Sequence, residues 1–199
     1  MKKNRTAEII RKTKETDIRL AWNLDGKGSY RVSTGIPFLN HMLELFAKHG
    51  GFDIQLAARG DLAVDDHHTV EDIGLCFGKA LNQALGNRRG ITRYGHAYVP
   101  MDETLAFCAV DLGGRPYLVY RAENPRTKIK TFDTGMVEHF LEAFVNQGLF
   151  NLHLEVRYGK NPHHIFEGMF KAMARAMRSA VALDGTLRGI PSTKGRVGA

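Results

Sequence analysis

The chain is short of cysteine, has no long apolar run and carries no block of like charge. Its 199 residues include only two cysteines, Cys76 and Cys108, both in apolar surroundings. A disulfide framework is therefore excluded as the organising principle, and both thiols read as reduced core residues. No apolar stretch reaches the ~20 residues that a membrane-spanning helix needs. The basic start, Met1-Lys2-Lys3-Asn4-Arg5, is not followed by the apolar core of a signal peptide. These absences point to a cytoplasmic protein without a membrane partner. The formal charge is +7, yet lysines and arginines form no long run. A nucleic-acid stripe would interleave such a run with exposed aromatics, so small anionic ligands are expected instead and no nucleic acid.

Histidine is what the chain has in quantity, and its nine copies are not scattered. The stretch His41-Met-Leu-Glu44-Leu-Phe46, continuing through Gly50 and Phe52, recurs as His139-Phe-Leu-Glu142-Ala-Phe144, continuing through Gly148 and Phe150. Downstream, His67-His68-Thr-Val-Glu71 recurs as His163-His164-Ile-Phe-Glu167. Upstream, Ala21-Trp-Asn-Leu24 resembles Ala109-Val-Asp-Leu112, each running into a glycine-rich turn. Two copies of one unit are expected, at 1–90 and 91–184, with a tail at 185–199.

Periodicity and punctuation give the elements. Residues 17–24, 104–112 and 117–121 read as strands. Residues 52–58 and 150–156 alternate apolar and polar, as half-buried strands do. Residues 37–48 and 134–146 read as helices closed by Gly50 and Gly148. The two His-His-x-x-Glu segments open long helices. Asp65 or Asp66 can cap the first; Asn161 caps the second, with Pro162 at its first position. The fold class is α+β: a tandem strands–helix–strand–helix unit, with mixed sheets carrying helices on one face.

On a helix, His67 and Glu71, or His68 and Glu71, share a face, but neighbours such as His67 and His68 project about 100° apart. Adjacent histidines are thus better used by two different sites. The duplicated set is His41, His67, His68, Glu71 and His139, His163, His164, Glu167. It divides into two sites of three histidines and one glutamate, a donor mix suited to Mn, Fe or Zn. A six-coordinate ion would keep two positions open for a chelating ligand, which favours Mn or Fe over a closed structural zinc. Lys171 lies one turn beyond Glu167, where the first unit has Leu75. A cation so near a dication asks for an anion between them, such as a phosphate. Arg93, Arg115 and the tail Pro191-Ser192-Thr193-Lys194-Gly195 are further phosphate candidates.

At these residues the chain closely resembles the imidazoleglycerol-phosphate dehydratase family. The matching stretches include Gly35-Ile-Pro-Phe-Leu-Asn-His41, Gly60-Asp-Leu, Asp65-Asp-His-His-Thr-Val-Glu-Asp72, Val99-Pro-Met-Asp-Glu103, Asp111-Leu-Gly-Gly-Arg-Pro-Tyr117, Lys160-Asn-Pro-His-His-Ile-Phe-Glu167 and Pro191-Ser-Thr-Lys-Gly195. Two departures stand out. Asn40 replaces a common Asp, and Leu45 replaces a frequent Gln. The resemblance implies a monofunctional hydro-lyase of histidine biosynthesis, converting imidazole glycerol phosphate to imidazole acetol phosphate and water. It implies two manganese ions per active site, held by the eight duplicated residues. It also implies a shell of 24 subunits, built from trimers, with sites completed by neighbouring chains. Substrate contacts are implied at Glu15, His41, His49, Arg93, Arg115, Lys171, Ser192, Thr193 and Lys194. Glu15, a carboxylate outside the ligand set, is the first choice as general base. Glu71 and Glu167 lie by the metals, and His49 and Asp102 are further candidates for moving protons.

Two other function classes compete. A metal-dependent hydrolase or di-iron oxidase would use similar donors, but ferritin-like bundles carry Glu-x-x-His and no strands. A nucleic-acid-binding protein would need the basic stripe that the chain lacks.

Overall fold

The computed structural model describes residues 5–122, 127–186 and 189–197; the basic residues 1–4 lie outside them. The first sheet contains β1 (Thr6–Lys12), β2 (Thr16–Asn23), β3 (Tyr30–Ser33) and β4 (Asp53–Gly60), in the order β1-β2-β4-β3. Helix α1 (Pro37–Gly50) precedes β4 and α2 (His67–Leu85) follows it. The second unit repeats this plan. It contains β5 (Tyr94–Met101), β6 (Thr104–Asp111), β7 (Tyr117–Arg121), a small hairpin of β8 (Lys128–Ile129) and β9 (Phe132–Asp133), α3 (Met136–Gly148), β10 (Asn151–Tyr158) and α4 (Pro162–Val181). Its sheet order is β5-β6-β10-β7. In both sheets the first three strands pair antiparallel and the last joins in parallel.

Alternation builds each sheet's inner face. Ile18, Leu20 and Trp22 point inward from β2, and Ala106, Cys108 and Val110 from β6. Helices cover that face, while Glu8, Arg19 and Gln55 stay exposed on the other side of the first sheet. The two units share one core. Trp22 packs its ring against Phe46, Phe52 and Phe77 of its own unit and against Phe144 of the other, at centroid distances of 5.4 to 6.2 Å. Both cysteines are buried and free, as expected.

The helices pair across the units: α2 packs on α3, and α1 on α4. Sequence dictates how close α2 comes. Cβ atoms added at Gly74 and Gly78 would each lie 2.6 Å from a backbone oxygen of α3, those of Phe140 and Phe144. Only glycine allows that approach. The helix ends are tied by the same cross-pairing. Arg178 of α4 donates to the Gly50 carbonyl that ends α1. Arg88, just past α2, donates to the carbonyls of Gly148 and Leu149 at the end of α3, and to Leu112. Burial lowers the pKa of Arg88, but these bonds satisfy its guanidinium.

Strand and helix positions agree with the sequence expectations to within about two residues. β1, β3, β5 and the short β8 and β9 lie outside those expectations. At the start of α2, Asp65 rather than Asp66 accepts the His67 N–H, at 2.8 Å, and Asp66 is the N-cap residue without a side-chain cap bond. At α4, the Asn161 side chain accepts the His163 N–H at 2.9 Å. Asn40 keeps an acceptor where the family often has Asp: its Oδ1 takes the Thr34 N–H and hydroxyl before α1. Leu45 is half-buried and packs on the core.

Candidate metal centre

Cross-pairing of helices decides which ligand candidates meet. α1 brings His41 to the start of α4, where His163 and Glu167 sit one turn apart. Donor atoms of these three all lie within 4.8 Å of one another. His163 Nε2 is 3.1 Å and His41 Nε2 is 3.7 Å from Glu167 Oε2. The other unit's counterpart forms where α3 meets α2. There His67 Nε2 is 3.6 Å from Glu71 Oε2, and the His67 and His139 rings are 4.6 Å apart. Each trio thus draws one histidine from one unit, and a histidine and a glutamate from the other. In the first trio, two imidazoles and one carboxylate within reach of a single point fit a first-row divalent ion, with coordination positions left over; the second is looser, and among the described residues only the first gathers three donor atoms within 4.8 Å.

The expected set of three histidines and one glutamate is therefore not complete within one chain. The second histidine of each pair faces elsewhere, as its helical offset requires. The rings of His67 and His68 stand 6.4 Å apart at 73°, and those of His163 and His164 6.4 Å apart at 89°. His68 Nδ1 meets Asp61 at 3.0 Å, with Glu15 farther off at 3.9 Å. His164 Nδ1 meets Glu103 at 2.8 Å, and its Nε2 lies 3.7 Å from Asp102. The hydrogen bond to the Asp61 carboxylate, against some desolvation, raises the pKa of His68; Glu103 does the same for His164. The bond to His164 and the Asn161 N–H hold the Glu103 carboxyl far below its usual range.

Electrostatics separate the two trios. Glu167 is nearly buried, and Lys171 donates to its other oxygen at 2.5 Å. Burial opposes its charge, but Lys171 and His41 outweigh that and keep the carboxyl below its ordinary value. The anion expected beside Lys171 is, in this chain, Glu167 itself. Glu71 has half of its side chain exposed. His49 sits near Lys171; burial first, then Lys171 and Arg175, lower its pKa.

The phosphate candidates divide between two places. Lys171 and His49 lie by the first trio. Arg93 lies by the far end of α4, where its N–H donates to the Ala180 carbonyl. Along the helix axis, that is about 20 Å from Glu167. Arg93 makes a bidentate pair with Asp111 at 2.7 and 3.1 Å and donates to the Pro191 carbonyl at 2.8 Å. It thereby holds the tail, in which the Ser192 hydroxyl accepts the Lys194 N–H. Arg115 and Thr193 are exposed. Asp61, Glu103 and Asp111 are the polar residues that sequence reasoning passed over as site residues. All three stand inside the matching stretches, where pattern alone could have flagged them.

Residues 34–177 match the family model for imidazoleglycerol-phosphate dehydratase. The imidazoleglycerol-phosphate dehydratase of Citrifermentans bemidjiense is 54% identical over 193 residues, 97% of this chain and 99% of that protein. That of Bacillus licheniformis is 53% identical over 191 residues, 96% of this chain and 98% of its own length. The crystal structure of the Staphylococcus aureus enzyme superposes with a TM-score of 0.82 at 37% identity, covering 90% of this chain and 99% of the other. The Pyrococcus furiosus structure gives 0.81 at 32%, covering 95% and 100%. The chain belongs to the imidazoleglycerol-phosphate dehydratase family, hydro-lyases of histidine biosynthesis.

Proposed function

We propose that the chain removes water from imidazole glycerol phosphate in the cytoplasm, at a dinuclear manganese centre completed between neighbouring subunits. One observation carries the reading. Each chain holds one compact mixed-unit trio, a looser counterpart at His67, Glu71 and His139, and, beside each, a histidine facing away from it. If His68 and His164 serve trios of adjacent chains, every site gains its third histidine. The separation of Arg93 and the tail from Lys171 along α4 supports the same arrangement, since one substrate cannot touch both within a chain. The family's 24-subunit shell, built from trimers, is the assembly we assign. Units 1–90 and 91–184 then act as a fused pair, and 185–199 closes on the phosphate.

Bound manganese supplies a Lewis acid that stabilises negative charge developing on the imidazole ring. The chain's residues do the rest. Lys171, Arg93, Arg115, Ser192, Thr193 and Lys194 grip the phosphate, and that remote binding orients the reacting carbons. His41 lines the ring site. Glu15 takes the proton from C2, while His49 or Asp102 supplies a proton to the departing C3 hydroxyl, which leaves as water. The resulting enol tautomerises to the ketone. Glu71 and Glu167, as ligands, are held close to the reacting atoms but are less free to carry protons.

The direct test incubates manganese-loaded protein with imidazole glycerol phosphate and follows the ketone. Turnover is expected; none with manganese bound sinks the reading. Mass measurement with and without manganese tests the shell, which should dissociate when the ion is stripped.

A further inference from the structure

Glu15 and Glu103 hold the same place in the two units. Each is the last residue of the turn that joins two antiparallel strands and stands immediately before β2 or β6. Their carboxylates behave differently. Glu103 Oε1 accepts the N–H of Lys160 at 3.1 Å, the N–H of Asn161 at 2.8 Å and the Thr104 hydroxyl at 3.2 Å. Its Oε2 faces His164 Nδ1 at 2.8 Å. The Glu15 carboxylate comes no nearer than 3.9 Å to His68 and accepts no hydrogen bond among the described residues.

The turns account for the difference. Asp102 adopts a left-handed conformation, φ 48°, and Glu103 folds back onto the start of α4. In the first turn the Thr13 hydroxyl accepts the N–H groups of Glu15 and Thr16, a different geometry. The carboxylate that meets His68 comes instead from Asp61, the residue after β4. The residue after β10 is Gly159, where a Cβ would lie 2.6 Å from the Thr104 hydroxyl oxygen. No carboxylate fits there, and the second unit draws its own from Glu103.

We propose that Asp61 and Glu103 are positioning residues. Each accepts the Nδ1–H of its histidine, leaving Nε2 of His68 or His164 bare as the metal-binding atom, and Asp61 thereby frees Glu15 for the substrate. The inference rests on the reading of His68 and His164 as ligands. It follows the general rule that a ligating imidazole donates its other N–H to a fixed acceptor. The two carboxylates differ in one testable respect. Glu103 Oε1 is pinned by backbone donors, so in Glu103→Gln the amide oxygen stays there and the NH2 faces His164. Nδ1 must then accept, and the proton moves to Nε2, where it blocks a metal. Asp61 Oδ1 is buried without a partner. In Asp61→Asn the amide can therefore turn its oxygen toward His68, and the same loss of charge leaves the tautomer intact.

The experiment titrates the full-length protein with manganese against a competing chelator, with circular dichroism checking the fold. Nitrogen NMR of histidine-labelled, metal-free protein at alkaline pH reads which ring nitrogen of His164 carries the proton. Expected are Nδ1 protonation in the wild type, and Nε2 protonation in Glu103→Gln with manganese binding at one of two sites weakened about 10–100-fold. Asp61→Asn should fall short of that range, and Glu15→Gln should bind manganese as the wild type does. Nε2 protonation in the wild type overturns the proposal, even if Glu103→Gln fails to fold. So does Glu103→Gln binding normally while His164→Ala binds weakly, or Glu15→Gln weakening binding as much as Glu103→Gln. If His164→Ala itself binds normally, the ligand assignment has failed and the positioning role falls with it.

Discussion

The two trios have the same donors and different surroundings. Glu167 is nearly buried and shares its carboxylate with Lys171, whereas Glu71 is half exposed and has Leu75 one turn on. Duplication kept the groups that can bind an ion and let the electrostatics around them diverge. A single cation added to one copy pairs with that copy's own glutamate, where the other copy has a leucine. The scaffold diverged in the same way. Asp72, on α2 directly after Glu71, accepts from Thr16 at 2.5 Å and pairs with Arg11 at 2.8 Å, fastening β1 and β2 to the helix. After Glu167 the corresponding residue is Gly168, where an added Cβ would lie 3.5 Å from the Ala106 side chain.

The sharpest way to break the comparison is to remove counterpart ligands. His67→Ala and His163→Ala should each lower activity by about two to three orders of magnitude and reduce bound manganese, since a metal's charge stabilisation amounts to several kcal/mol. Metal analysis beside kinetics checks this; full activity in either variant would show that only one trio serves catalysis. Next comes Lys171→Leu, which makes the second copy like the first. A charge-assisted bond contributes ~1.5–3 kcal/mol, so kcat/KM should fall about ten- to a hundredfold, mainly through KM, with manganese retained. Asp72→Ala should destabilise by about 2 kcal/mol, because it strands the Thr16 hydroxyl and Arg11. Thermal melts at fixed protein concentration measure it, and Gly168→Ala is the milder counterpart.

The smallest expected effect concerns Asp53 and its counterpart Asn151. Asp53 accepts the N–H groups of Lys27 and Ser29; Asn151 donates to the Arg115 carbonyl. Burial opposes the charge of Asp53, but those N–H groups and the Asn23 amide outweigh it and lower its pKa from 3.8. The folded-state value lies below the unfolded one, so its stabilisation is present above pH ~3.8 and is lost as pH falls through the folded value. Asp53→Asn should cost under about 1 kcal/mol at neutral pH and nothing in strong acid. Denaturant titrations at both pH values test that.

Much of this fold is legible in the sequence because a repeat doubles each signal. The His41/His139 and His67-His68/His163-His164 correspondences mark the helices that carry the ligands. β1 escaped notice because, as an edge strand reading Thr6-Ala-Glu-Ile-Ile-Arg-Lys12, it buries only Ala7 fully, and the adjacent Ile9 and Ile10 hide its alternation in the sequence. β3 is four residues long and mostly exposed. Offset on a helix predicted that His67 and His68 diverge. It could not predict that His67 would meet His139 rather than His41, because the cross-pairing comes from α2 lying against α3. Nor could it find Asp61 and Glu103, whose role depends on where a turn folds back in space.

The cross-pairing of α1 with α4 and α2 with α3 has a historical consequence. A single ancestral half would have owned every donor needed for a trio, yet its own two helices do not bring those donors together. Such a half could have bound an ion only by exchanging helices with a second copy of itself, as a symmetric dimer. The present chain is then that dimer written as one polypeptide, its former twofold axis passing through the middle of the four helices and exchanging α1 with α3 and α2 with α4. Fusion made the two halves permanent neighbours and free to mutate separately.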